Sequence, residues 1–179
     1  MAAGRRILRL SLAEIGAMAA RAARGAGYPI GQAEDLGNTA LYLAGVRADI
    51  TPVTSALLED LIPPQVTWAG NDAVITAGST ITTAPIASDV IAMGGQVTIP
   101  EIRQAPLISA MLCTRGLTPW WEGNVLRLGD CEILPVKPGP IDVADADWAI
   151  WCDLAAKTYV PDSAASRAAG AGAGLTDND

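Results

Sequence analysis

Apolar residues recur at helical spacing through the first third of the chain, then give way to short runs broken by glycine, proline and aspartate. Ser11-Leu12-Ala13-Glu14 has the form of a capping box, in which the serine accepts from the Glu14 amide and the carboxylate reaches back. Leu12, Ile15, Ala19 and Ala22, with Met18 beside them, then form one helical stripe. Arg21 and Arg24 fall in the last turn, where cations offset the helix dipole, and Gly25 or Gly27 offers a left-handed cap. A second helix is expected over residues 31–44, with Glu34 and Asp35 in its first turn, Leu36, Ala40 and Leu43 as its stripe, and Gly45 at its end. A third begins with Thr51 as cap and Pro52 in the first turn. It carries Val53, Ala56 and Leu57, extends toward Leu61, and stops before Pro63-Pro64.

Beyond residue 64 the period changes. Residues 65–68 and 73–76 flank the turn-like Ala69-Gly70-Asn71-Asp72 and read as a hairpin. Residues 80–83, 90–93 and 97–99 read as further short β-prone pieces. Residues 107–113 are uniformly apolar and fit a buried strand or a short helix equally. Residues 117–121 and 125–128 flank Glu122-Gly123-Asn124, a second hairpin with the same turn chemistry, and residues 132–136 continue as strand. After Lys137-Pro138-Gly139-Pro140, an amphipathic helix starts at Asp145 or Asp147 and places Ile150, Trp151, Leu154 and Ala155 on one side. Residues 163–169 add a further helical turn, and the glycine-rich 170–179 form a tail.

These elements give an α+β fold: a helical layer over 11–62 packs on a mostly antiparallel sheet or β-sandwich over 65–136, and a C-terminal helix over 145–169 returns toward the front helices. A chain of 179 residues fits one domain and can bury a sizeable core without a disulfide or metal. That core must be aliphatic, because there are five Trp and three Tyr but no Phe.

Charge narrows the partners. The chain has 12 basic and 19 acidic residues, a net charge of −7, so nucleic acid is not expected as a partner. Arg5, Arg6 and Arg9 read as a solvated N-terminal lead-in. The first residues lack an uninterrupted apolar stretch, and no run suits a membrane span. Cys113, Cys131 and Cys152 are widely spaced without a CxxC, as expected of reduced thiols. The expected location is cytoplasmic.

The chain contains no histidine, which removes Ser-His and Cys-His nucleophile pairs and histidine-bearing metal sites. Lys137 and Lys157 are the only lysines, and both read as surface residues. No metal and no cofactor is expected. The glycine turns after Arg24 and after Arg167 lack a phosphate-loop pattern and read first as helix caps. They nonetheless share a pattern, and if they meet, Arg24 and Arg167 could clamp a carboxylate bidentately. Trp120 and Trp121 would point to opposite faces of a strand: one toward an interface or ligand wall, or else both packed beneath the front helices. The ligand-binding candidates are therefore Arg24, Arg167, Trp120, Trp121 and the acidic Glu34, with no catalytic residue assigned.

Two segments carry a family resemblance: Ser11-Leu-x-Glu14-Ile followed by RAARGAGY with Gly31, Ala33 and Glu34, and the terminal stretch from Thr158 to Asp179. Together they resemble the bacterial domain-of-unknown-function family numbered 3726. The resemblance implies an uncharacterised cytosolic protein with no assigned activity or catalytic residues, and suggests that the glycine tail is ordered and functional. Three functions remain open. The first is a non-catalytic small-molecule-binding or accessory domain working as a homo-oligomer. The second is a histidine-independent enzyme acting on a carboxylate-bearing metabolite, and the third a structural partner subunit.

Overall fold

The computed structural model describes residues 6–130 and 132–159. The chain forms β1 (Ile7–Leu10), α1 (Leu12–Gly25), α2 (Ile30–Gly45), α3 (Thr51–Leu57), β2 (Gln65–Ala69), β3 (Asp72–Ala77), α4 (Thr80–Ala92), β4 (Val97–Thr98), α5 (Ala105–Thr114), β5 (Pro119–Glu122), β6 (Val125–Leu128), β7 (Ile141–Ala144) and α6 (Asp145–Ala156). This is an α+β fold with a C-terminal helix. The main sheet has five strands in the order β2-β3-β4-β6-β5, and only the β3–β4 pair is parallel. Parallel neighbours need a crossover, and α4 supplies it. A second, two-stranded antiparallel sheet pairs β1 with β7.

The capping box at α1 is complete. Glu14 N–H donates to Ser11 Oγ at 3.2 Å, and Ser11 N–H donates to Glu14 Oε2 at 2.8 Å. That backbone donor, helped by the Ser11 hydroxyl, holds the Glu14 carboxyl below its usual range. Ile15, Ala19, Ala22 and Ala23 are buried against α2 and α6. Alanines and glycines at this face let the backbones approach: a Cβ on Gly37 would lie 2.7 Å from Gly16 O. Gly25 is held by packing as well, because a Cβ there would overlap Leu154 O of α6. Trp151 of α6 is wholly buried, and its Nε1 donates to Thr54 Oγ1 of α3 at 2.9 Å.

The front helices pack on α4 and α5, and those two in turn cover one face of the five-stranded sheet. A second apolar cluster lies there, with Ile75, Val97 and Leu126 from the sheet meeting Val90, Ile91 and Met111 from the helices. Arg115 at the end of α5 ties the layers at their rim, contacting Asp35 of α2 at 2.8 Å and Asp89 of α4 at 3.4 Å.

Several sequence expectations need correction. Residues 80–83 and 90–93 are not strands: they are the two ends of α4, with Met93 as the residue that caps it. β-Branched residues favour strands only weakly, and here packing overrides them. The helix is buried on most sides, from Thr80 through Ile91, so no helical period stands out. The 65–136 body therefore contains two helices, and the uniformly apolar 107–113 belongs to α5. Residues 132–136 form no strand, although Lys137 N–H donates to Gly45 O. In the lead-in, Arg6 and Arg9 are exposed as expected, while the backbone there pairs as β1 with β7.

At the helix ends, α3 stops at Leu57, short of Leu61, and Asp49 rather than Thr51 caps its start by accepting from Thr51 N–H. Helix α2 begins at Ile30, which places Glu34 and Asp35 beyond the first turn. Gly45 ends α2 as expected, and the left-handed residue beyond it is Arg47 (φ +63°). Its guanidinium donates to Pro138 O and Pro140 O, anchoring that conformation. Neither Asp145 nor Asp147 caps α6 through its side chain. Residues 163–169, the glycine tail, Arg5 and Cys131 lie outside the described residues.

Candidate functional site

Strands β3 and β4 run parallel side by side, so both end at the same edge of the sheet. From there the chain turns into α4 after β3 and into the 100–104 loop after β4. The two departures leave a crevice between them, the place where parallel strands commonly receive ligands. Here it is a cleft of about 120 Å³. Buried isoleucines Ile75, Ile99 and Ile108 line its inner side, Thr80 and Thr83 of α4 add hydroxyls, and exposed Glu101 and Arg103 stand at its rim.

The turn into α4 is built from Gly78 and Ser79. Gly78 has φ +135°, a region L side chains rarely adopt, and a Cβ there would lie 2.6 Å from Thr83 Oγ1. Ser79 N–H donates to Ile62 O, which also accepts from Thr82 Oγ1 at 3.0 Å. These bonds tie the start of α4 to the segment after α3. Glu59 completes the anchor: one carboxylate oxygen accepts from Thr80 N–H at 2.5 Å and the other from Thr80 Oγ1 at 2.7 Å. A carboxylate at a helix N-terminus offsets the positive end of its dipole. The start of α4 thus carries its own anion and is not an open phosphate cradle.

Thr83 behaves differently from its neighbour. Thr82 spends its hydroxyl on backbone carbonyls. Thr83 is 4% exposed, yet its hydroxyl has no hydrogen-bond partner among the described residues. Because Thr83 lines the cleft, this unpaired hydroxyl is a polar contact left open to it. Nearby, Tyr28 is also 4% exposed, and its Oη has no hydrogen-bond partner among the described residues. Burial pushes the Tyr28 phenol above its ordinary range; the nearby Ser79 side chain opposes this and the Glu59 charge adds to it.

The charges at the rim are unspent too. Glu101 and Arg103 flank Ile102, yet among the described residues neither makes an ion pair, with the other or with a third group. The arrangement can therefore hold a small molecule by apolar contact inside and by charge at the mouth. Among the described residues no lysine lines the cleft, and the one hydroxyl there that meets a carboxylate, Thr80 Oγ1, donates to Glu59, whose other oxygen is held by the Thr80 amide.

The residues expected from sequence fall elsewhere. Arg24 is exposed at the end of α1, and Arg167 lies outside the described residues. Glu34 is exposed and lines a shallow groove between α1 and α2 with Gly16 and Gly37. The two tryptophans do point to opposite faces of β5. Trp120 is 62% exposed, opposite Arg127. Trp121 is half-buried over the core, where its Nε1 donates to Ser109 Oγ of α5 at 2.8 Å, so it packs on α5 and not beneath the front helices.

Sequence reasoning missed Gly78, Thr80, Thr83, Glu101 and Arg103. The available signal was Ala77-Gly78-Ser79-Thr80 directly after a β-prone run, which is the chemistry of a strand-to-helix turn. Among the described residues, no cluster of three or more acidic or thiol side chains gathers to hold a metal ion. No helix among them is long and apolar enough to cross a membrane.

No curated protein and no solved structure matches the chain. A family model does: DUF3726, described as protein of unknown function, matches residues 10–50. The matched stretch contains α1 and α2 whole, with the Gly16–Gly37 contact between them. The likeness to this family of unknown function is to that helical pair, 41 of the 179 residues.

Proposed function

We propose that the chain is a non-catalytic small-molecule-binding domain, and that the cleft at the ends of β3 and β4 takes a small aliphatic carboxylate. The observation that carries this reading is an isoleucine-lined cleft with one arginine, Arg103, at its rim and no ion-pair partner for it among the described residues. A volume near 120 Å³ limits the ligand. An apolar cavity of ~150 Å³ holds benzene, so roughly five or six heavy atoms fit inside. Apolar pockets with a few placed polar groups are the usual form of such sites. The Thr80 hydroxyl is held by the same Glu59 carboxylate that caps α4, so that carboxylate serves as a structural anchor of the turn, which favours binding over catalysis.

A thermal-shift series with aliphatic carboxylates of three to six carbons, beside the matching alcohols, tests the proposal. A ligand at 100 times its Kd stabilises the native state by about 2.7 kcal/mol. The acids should raise Tm in the native protein and not in Arg103→Ala. Equal shifts from acids and alcohols, or none, would overturn it.

We infer further that the protein works in a bacterial cytoplasm as a homo-oligomer. The resemblance and the absence of a CxxC support the compartment. Indoles 54% and 62% exposed at Trp68 and Trp120, on the two outer strands of the sheet, support self-association.

A further inference from the structure

Two opposite charges stand at the rim of the same cleft, two residues apart, and leave each other unpaired. This matters for what the cleft accepts. A simple carboxylate would meet Arg103 favourably but would sit beside Glu101, a like charge, in a protein of net charge −7. Like-charge juxtaposition disfavours such a ligand. A simple amine has the converse problem with Arg103. A zwitterion satisfies both.

We propose that the cleft is a site for a small aliphatic α-amino acid, its carboxylate at Arg103, its ammonium at Glu101 and its side chain among Ile75, Ile99 and Ile108. This rests on the reading of the cleft as a ligand site and specifies what occupies it. Three observations support it. The inner side is branched and aliphatic, and a small volume excludes aromatic or long side chains. The Thr83 hydroxyl, on a residue that is 4% exposed and lines the cleft, makes no hydrogen bond among the described residues and supplies a polar contact that neither charge provides. The start of α4 is already capped by Glu59, so the ligand's carboxylate is left to Arg103 and not drawn to the helix terminus.

The site involves recognition only, and no bond is made or broken. Charge-assisted contacts at both ends should make the amino acid bind about tenfold tighter than the same molecule lacking its ammonium.

The test is isothermal titration of the full chain with valine, leucine and isoleucine, and with each one's desamino acid and decarboxylated amine. The expected order is amino acid tightest, with Glu101→Gln reducing it to the affinity of the desamino acid, and Arg103→Gln reducing it to that of the amine. Both substitutions are at exposed loop positions, so folding is checked by unchanged circular dichroism. If the acid and the amino acid bind equally and Glu101→Gln changes neither, the zwitterion is overturned while the carboxylate reading stands. If only the amine binds, both fall. If none of the three binds, the cleft is no site for this class and both are likewise overturned.

Discussion

A Cβ on Gly78 would lie 2.6 Å from Thr83 Oγ1 and 3.1 Å from Pro64 Cα, at a backbone angle of φ +135°. Space and conformation thus both require glycine at the turn that opens the cleft. Gly78→Ala should lower stability by about 1–3 kcal/mol in urea titration, through backbone strain and the displaced threonine. Tyr28 makes the opposite prediction. Its hydroxyl is buried without a hydrogen bond, so Tyr28→Phe should be neutral or mildly stabilising, because no partner is orphaned.

The same residue links stability to alkaline pH. Burial raises the Tyr28 pKa above the ordinary tyrosine value of 10.0, so the folded state keeps a proton that the unfolded chain releases. Its contribution is therefore intact below about pH 10 and declines as pH rises through that value toward the raised folded pKa. Tyr28→Phe should flatten that decline in denaturation curves taken between pH 9 and 11, and an unchanged slope would count against the assignment. At this scale the sequence was readable where a residue's role is local. The Ser11–Glu14 box and the alternation of Trp120 and Trp121 depend on neighbours within a few positions. Arg103 was not readable, because its role depends on β3 and α4 arriving beside it from 20 or more residues away.

Helices α1 and α2 meet through glycine and alanine, with Gly16 O 2.7 Å from where a Gly37 Cβ would stand. A larger side chain must push the two helices apart. Gly37→Val should cost about 1–3 kcal/mol by overpacking, read as a lowered urea midpoint with an unchanged slope. Helix α4 shows why some elements escape sequence reading. Its threonines and isoleucines favour a strand, and burial on most sides erases the polar stripe that marks an amphipathic helix. It also contains Pro85, whose missing N–H removes a helical bond. What holds α4 as a helix lies outside it: the Glu59 carboxylate on Thr80, and the front helices and sheet packed around it. The first three helices carry their own signals and were legible to within a few residues, including the Ser11–Glu14 box that starts α1 and Gly45 as the last residue of α2, whereas the start of α3 was not. There Asp49 accepts from Thr51 N–H, so Thr51 is the donor and not the cap.

For the whole molecule, α4 and α5 sit between the front helices and the sheet, and only one face of that sheet is covered by them. The α+β class, both hairpins and the return of the C-terminal helix to α1 followed from period and turn chemistry. The parallel β3–β4 pair did not, because α4 between them read as strands. With that crossover hidden, the crevice at its end was hidden as well. Self-association belongs at this scale: light scattering of the native chain should report a mass above 18.4 kDa, and Trp120→Ser should lower it toward the monomer. A monomer at high concentration would contradict it.

The central claim is that ligand binding belongs to the cleft between α4 and the 100–104 loop, and isoleucine methyl NMR reads that location directly. On titration with a branched aliphatic amino acid, the methyls of Ile75, Ile99 and Ile108 should shift together and saturably, while Ile15 in the front helices stays still. Saturable shifts confined to Ile15 and its neighbours, or no shift in the three cleft isoleucines, would contradict the account.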